Sequence, residues 1–219
     1  LFEPIFKKLK GIQALWNLVT IPANYLPLRF FKRLPDYLII EVSNICNLQC
    51  PSCPTPHDLR RPRGLMSLDL FRSIIDNLAE HGKRPRILMN FAGEPLLNSE
   101  LPSFIDYAAK NDFETYISTN AVCLTPQMSE NLIKAGLKTI NVCLDGFSKE
   151  AHESYRIGSQ FEKVKENIEN FLKIKSSLHS RFPEVIIQSL ITAYSEGQID
   201  EIIKWGTTIK ADKIKFKTI

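Results

Sequence analysis

No stretch of the 219-residue sequence holds the roughly 18 consecutive apolar residues that a membrane-spanning helix needs. No small-residue cleavage site follows a charged start, so no secretory signal is readable. The chain opens on Leu1 rather than methionine, and its natural start is expected upstream. Low-complexity tracts are absent, and so are internal repeats beyond a strand–helix unit. Cysteines are few and odd in number, five in all, which argues against the disulfide framework of small secreted domains. The body lacks an excess of either charge. Residues 1–36 hold six basic groups against Glu3 and Asp36, and the remainder holds 22 basic and 22 acidic residues. Such balance excludes a body built to grip a phosphate backbone, and no nucleic acid is expected as partner. With 44% apolar and 24% charged residues, the composition suits one sizeable globular domain.

What is present reads as a preface followed by alternating elements. In residues 1–36, Phe2, Ile5, Phe6, Leu9, Ile12, Trp16 and Val19 recur at helical spacing opposite lysines. This predicts an N-terminal amphipathic helix, ended by Pro22 and Pro27. It is expected to pack on the outside of its own domain, with peripheral contact of residues 1–20 to an anionic membrane as the sharper alternative. Strands are then expected at 37–42, 86–91, 113–118, 138–144, 184–191 and 213–217. Helices are expected to open near Ser67, after Ser99, at Thr125-Pro126 and at Ser148, followed by a longer one beyond Gly158 and one carrying Ile199, Ile202 and Ile203. Strict alternation implies an α/β fold with a parallel sheet and right-handed crossovers. Six strands are too few for a closed eight-stranded barrel. An open, partial (β/α)6 TIM-like barrel over 37–219 is expected, with a doubly wound sheet as the alternative. Either fold places its chemistry in the loops at the C-terminal ends of the strands.

Those loops hold the unusual residues. Three of the five cysteines, Cys46, Cys50 and Cys53, fall within eight residues after the first strand, in the spacing CxxxCxxC. Three converging thiolates suit iron–sulfur or zinc. A structural zinc site wants four ligands, and the nearest fourth candidate is His57. Three ligands on a four-iron cube leave one iron open to a small molecule. Clustered thiols of this kind also point to a reducing compartment, so a cytoplasmic location is expected.

This motif, after a first strand, resembles the radical S-adenosylmethionine superfamily. The resemblance implies a 4Fe–4S cluster on Cys46, Cys50 and Cys53 whose open iron binds the amino and carboxylate groups of S-adenosylmethionine. Reductive cleavage would then give a 5′-deoxyadenosyl radical that abstracts hydrogen from a substrate. Ala92-Gly93-Glu94-Pro95 is similar to the Gly-Gly-Glu-Pro segment of that family, with alanine in place of the first glycine. Gly93 and Glu94 are therefore expected to accept the methionine ammonium. Ser118 and Asn120 are expected to reach the cofactor's ribose or carboxylate, and Arg156 to pair with its carboxylate. Asp145 is the substrate-pocket candidate, against a plain Asp-Gly turn. Ser52 stands where many members carry an aromatic residue near the adenine, so adenine packing is expected from elsewhere, such as residues after strands five and six.

From Leu34 onward the chain resembles more closely the subset with a C-terminal auxiliary-cluster (SPASM) domain, through residues 61–66 and Tyr155-Arg156-Ile157-Gly158. That domain's cysteines are not in this chain, and an end just after strand six fits a fragment. The resemblance implies a reductant such as ferredoxin or flavodoxin, and a peptide or small-molecule substrate. Cys123 and Cys143 are expected as packing residues. His57, Arg60, Arg61 and Arg63 form a basic loop, either solvated or able to attract an anionic substrate. Two other readings stay open: an iron–sulfur electron carrier without S-adenosylmethionine cleavage, and a zinc-bound interaction module.

Overall fold

A computed structural model describes residues 35–218 except 83. The predicted N-terminal helix of residues 1–36 and its membrane alternative thus lie outside the described residues, apart from Pro35 and Asp36. Six strands, β1 (Tyr37–Ile39), β2 (Arg86–Leu88), β3 (Thr115–Thr119), β4 (Thr139–Cys143), β5 (Glu184–Ile191) and β6 (Lys213–Thr218), form a single sheet. Their spatial order is their sequence order, and every pairing is parallel. A doubly wound sheet would reverse direction at a switch point. This sheet never does, so right-handed crossovers put every helix on one face, as in a barrel. β1 and β6 do not pair, and the barrel stays open.

The helices are α1 (Pro54–His57), α2 (Leu68–Glu80), α3 (Leu101–Lys110), α4 (Pro126–Lys134), α5 (Lys149–Tyr155), α6 (Phe161–Ser177) and α7 (Ile199–Thr208). Their starts follow local chemistry. Ser67, Thr125 and Ser148 each accept a backbone N–H of the first turn through the side-chain oxygen. Between the helices and the sheet lies the core, which runs from Ile40 and Phe71 to Trp205 and includes Phe71 stacked on Phe104 with centroids 4.8 Å apart. Gly206 on α7 sits so close to β6 that an added Cβ would come within 2.7 Å of Ile214 Cδ1. Ile214 therefore faces the helices, and by the two-residue period Lys213, Lys215 and Lys217 face the concave side. Among the described residues, no helix is long and apolar enough to cross a membrane.

Several boundaries differ from the sequence expectation. β1 stops at Ile39 although the apolar run continues through Val42, because Val42 O accepts from Met66 N–H and the Asn98 side chain instead of a neighbouring strand. β2 likewise ends at Leu88, and the chain bends over residues 91–93, in the loop that carries Gly93. β3 is displaced to 115–119, β4 loses one residue at each end, and β6 gains Thr218. The third helix is capped at Glu100, one residue beyond Ser99. α1 was not among the expected helices; Pro54 and Pro56 fall in its single turn, where proline is well suited to a first helical position.

Candidate active site

At the C-terminal ends of β1–β4, a cavity of about 360 Å³ opens on the concave side. The sequence places Cys46, Cys50 and Cys53 in the loop after β1, and all three line this cavity. The loop is held from both sides. Asn44 exchanges two backbone–side-chain bonds with the Pro-rich segment, donating to Pro62 O at 2.8 Å and accepting from Gly64 N–H at 2.6 Å. On the other side Glu94 N–H donates to Ile45 O at 2.7 Å. There Gly93 has φ +77°, and a Cβ would lie 2.5 Å from Ser43 O and 2.8 Å from Ile45 O. Only glycine fits, because the two loops touch backbone to backbone.

Glu94 is 2% exposed. Its Oε1 accepts from Leu96 N–H at 3.1 Å and Thr119 Oγ1 at 2.6 Å, and its Oε2 accepts from Asn120 N–H at 2.8 Å. Burial pushes its carboxyl upward, while these three donors pull it back toward the ionised form. A carboxylate offers about four acceptor sites, so one remains on Oε2 for a further donor. Asn120 donates from Nδ2 to Asn47 Oδ1 at 2.8 Å and lies 3.9 Å from Cys46 Sγ. Ser118 Oγ accepts from Asn141 Nδ2 at 2.9 Å and lies 3.8 Å from Cys143 Sγ. Gly93, Glu94, Ser118, Asn120 and Arg156 all line the cavity with the three cysteines.

Asp145 is the exception among the expected site residues. Its side chain is 1% exposed and takes no part in the cavity wall. One carboxylate oxygen accepts from Arg156 Nε at 2.5 Å and the other from Leu190 N–H at 2.7 Å. The structure places it as a buried anchor for Arg156. The adjoining turn needs its glycine, since Gly146 has φ +103° and a Cβ would meet Ala151 Cβ at 2.5 Å. The basic loop also differs from a free anion trap. Arg61 pairs with Glu41 at 2.5 Å, and Arg63 donates to Thr55 O at 3.1 Å.

Sequence reasoning missed several cavity residues. Cys143, expected as packing, stands at the end of β4 facing Ser118, Asn141 and Gln188. Phe91 is 75% exposed on the cavity wall, directly after β2 rather than after strands five and six. Asn90 Oδ1 is buried in the same wall without a hydrogen-bond partner. Cys143 ends β4, and Asn90 and Phe91 lie two and three residues beyond β2, a nearness to strand C-terminal ends that would have marked them.

The donor set fits an iron–sulfur cluster with an organic ligand. All five cysteines are free thiols. Burial pushes the Cys46 and Cys50 thiols up, and the charges of their neighbouring thiols add to this for both. Thiolates gathered there need a cationic centre, and N–H donors already point at the sulfurs. Leu48 N–H lies 3.5 Å from Cys46 Sγ, and Arg156 Nη1 lies 3.8 Å from Cys50 Sγ. The open Glu94 site and the partnerless Asn90 oxygen supply acceptors for an ammonium or hydroxyl group.

Comparison with known proteins agrees with this geometry. The profile of the Radical SAM superfamily matches residues 40–205. The chain is 36% identical over 151 residues to GTP 3′,8-cyclase of Aliarcobacter butzleri, which covers 66% of this chain and 45% of that protein. It is 26% identical over 187 residues to a mycofactocin maturase of Mycolicibacterium smegmatis, covering 83% and 45% of the two chains. The chain thus spans about half the length of these curated relatives. Among solved structures, Streptococcus suis SuiB bound to its precursor peptide SuiA superposes with a TM-score of 0.70 at 20% identity, over 94% of this chain and 44% of that one. That likeness is one of fold.

Proposed function

Because this chain belongs to the radical SAM superfamily, we propose that residues 37–219 form the catalytic core of a radical enzyme acting on a peptide or small molecule. One observation supports this reading most: three free thiols share a single cavity with the Gly93–Glu94 loop and Asn120. Cys46, Cys50 and Cys53 would hold a 4Fe–4S cluster. When bound together, the cluster and S-adenosylmethionine supply one-electron cleavage of the cofactor and a 5′-deoxyadenosyl radical for hydrogen abstraction.

The chain's own residues bind and orient. Glu94 and the backbone at Gly93 accept the methionine ammonium, using the acceptor site that Leu96, Thr119 and Asn120 leave open. Asn120 and Ser118 contribute polar contacts on the next loop. Arg156 uses Nε and Nη1 for Asp145 and Cys50, and among the described residues no hydrogen bond occupies Nη2, which suits a carboxylate. The exposed ring of Phe91 offers a flat apolar face in the position where Ser52 cannot.

The substrate is proposed only by class, as a peptide or small molecule. Among the relatives stand a nucleotide cyclase and a maturase, and a structural neighbour is bound to a precursor peptide. A ferredoxin- or flavodoxin-type reductant in a reducing compartment would supply the electron. For residues 1–20, contact with an anionic membrane surface is kept as the alternative to packing on their own domain; failure to co-float with anionic vesicles would retire it.

The reading is tested by anaerobic reconstitution with iron and sulfide. Adding S-adenosylmethionine to the reduced protein is expected to change its electron paramagnetic resonance spectrum. Cys50→Ala should lose the spectrum itself. Zinc in place of iron, or a spectrum indifferent to the cofactor, would contradict it.

A further inference from the structure

The segment that closes α5 is joined to the cysteine loop at two places. Gln49 N–H donates to Ile157 O at 2.9 Å, and Arg156 Nη1 reaches Cys50 Sγ at 3.8 Å. The guanidinium has little freedom. Its Nε donates to Asp145 at 2.5 Å, and Asp145 is in turn held by Leu190 N–H on β5. The Arg156 backbone is fixed as well, donating to His152 O at 2.8 Å and accepting from Ser159 N–H at 2.8 Å. A guanidinium stays protonated at any working pH, and Asp145 stands beside it as its counter-charge. A permanent, aimed cation therefore touches one sulfur of the proposed cluster.

Such a contact has an electronic consequence. When an iron–sulfur cluster accepts one electron, part of the added negative charge resides on its sulfur ligands. A charge-assisted N–H···S bond stabilises that reduced form more than the oxidised form, so the reduction potential becomes less negative. The effect is strengthened where surroundings are poorly hydrated. Arg156 side-chain exposure is 17%, and that of its anchor is 1%.

We propose that Arg156 is a positioning residue for the cluster, donating to Cys50 Sγ and thereby setting the reduction potential, with Asp145 fixing its aim. The inference rests on the cluster reading above and goes beyond Arg156 as a partner for the cofactor's carboxylate. Two of its three nitrogens serve Asp145 and Cys50, and the third stays available for the carboxylate. The two roles separate experimentally, because only one of them operates before the cofactor binds.

The test is a redox titration of the reconstituted chain without S-adenosylmethionine. A low-potential reductant such as titanium(III) citrate supplies the single electron, and electron paramagnetic resonance reports the reduced fraction. Arg156→Gln is expected to move the midpoint to a more negative value at unchanged iron content. Arg156→Lys, which keeps the charge but loses the fork, should recover part of the difference. Equal midpoints in wild type and Arg156→Gln, with weakened cofactor binding in the variant, would overturn the inference and leave the cluster reading intact. If Arg156→Gln fails to assemble a cluster, the Arg156→Lys midpoint decides: a wild-type value overturns the proposal, a more negative one supports it. A wild-type chain that assembles no cluster would bring down the underlying reading, and this inference with it.

Discussion

His152 ties the turn that carries Asp145 to the turn after Arg156, and it does so only as a neutral ring. The residue is 1% exposed. Its Nδ1 accepts from Asp145 N–H at 3.2 Å, which places the ring proton on Nε2, 3.0 Å from Ser159 Oγ. Burial, opposed in part by Asp145, lowers its pKa to about 4 from the ordinary 6.5. Between those two values the unfolded chain binds one proton more than the folded chain. Stability is therefore complete above pH 6.5, declines as pH falls toward 4, and levels off below. At about 1.4 kcal/mol per pH unit, the full loss approaches about 3 kcal/mol, and about 2 kcal/mol of it falls between pH 7 and pH 5. Carboxylates elsewhere add their own acid dependence, so the informative quantity is the difference from His152→Asn. Asparagine can accept from Asp145 N–H but does not ionise. Urea unfolding followed by circular dichroism under reductant should show wild type losing about 2 kcal/mol relative to the variant between pH 7 and pH 5. Parallel pH profiles for the two proteins would refute the reasoning.

Three further substitutions probe the framework. Gly93→Ala forces a side chain into φ +77° and against Ser43 O, so denaturant unfolding should show a loss of at least about 2 kcal/mol together with poor cluster assembly. Glu94→Gln keeps the volume but turns an N–H₂ toward donors that now meet a carboxylate. It should cost about 1–3 kcal/mol in unfolding free energy and weaken S-adenosylmethionine binding while iron content holds. Phe71→Ala, far from the cavity and stacked on Phe104, should cost about 3–5 kcal/mol in unfolding free energy and leave cofactor affinity near wild type in the fraction that folds.

What was legible in the sequence is what short-range chemistry decides. Ser67, Thr125 and Ser148 announced their helices because a cap and its N–H donors lie within three residues. CxxxCxxC was equally readable, since its three thiols share one loop. The ends of β1 and β2 were not, because Val42 and Met89 are buried and apolar whether or not a neighbouring strand pairs with them. The turns of Glu94 and Asp145 were visible as Gly-Glu-Pro and Asp-Gly. Their partners were not: Glu94 is held by Thr119 at the end of β3 and by Asn120 just beyond it, and Asp145 by Leu190 on the next strand. Such contacts depend on sheet order and register, which no local spacing encodes. The same holds for Arg156, whose position beside Cys50 joins residues 106 apart in the chain.

The central claim is that three thiols and the Gly93–Glu94 loop build one centre for cofactor cleavage. Reduced, reconstituted protein incubated anaerobically with S-adenosylmethionine should release 5′-deoxyadenosine, and Cys46→Ala, Cys50→Ala and Cys53→Ala should each abolish it. Intact cofactor after incubation with a fully assembled and reduced cluster would contradict the account.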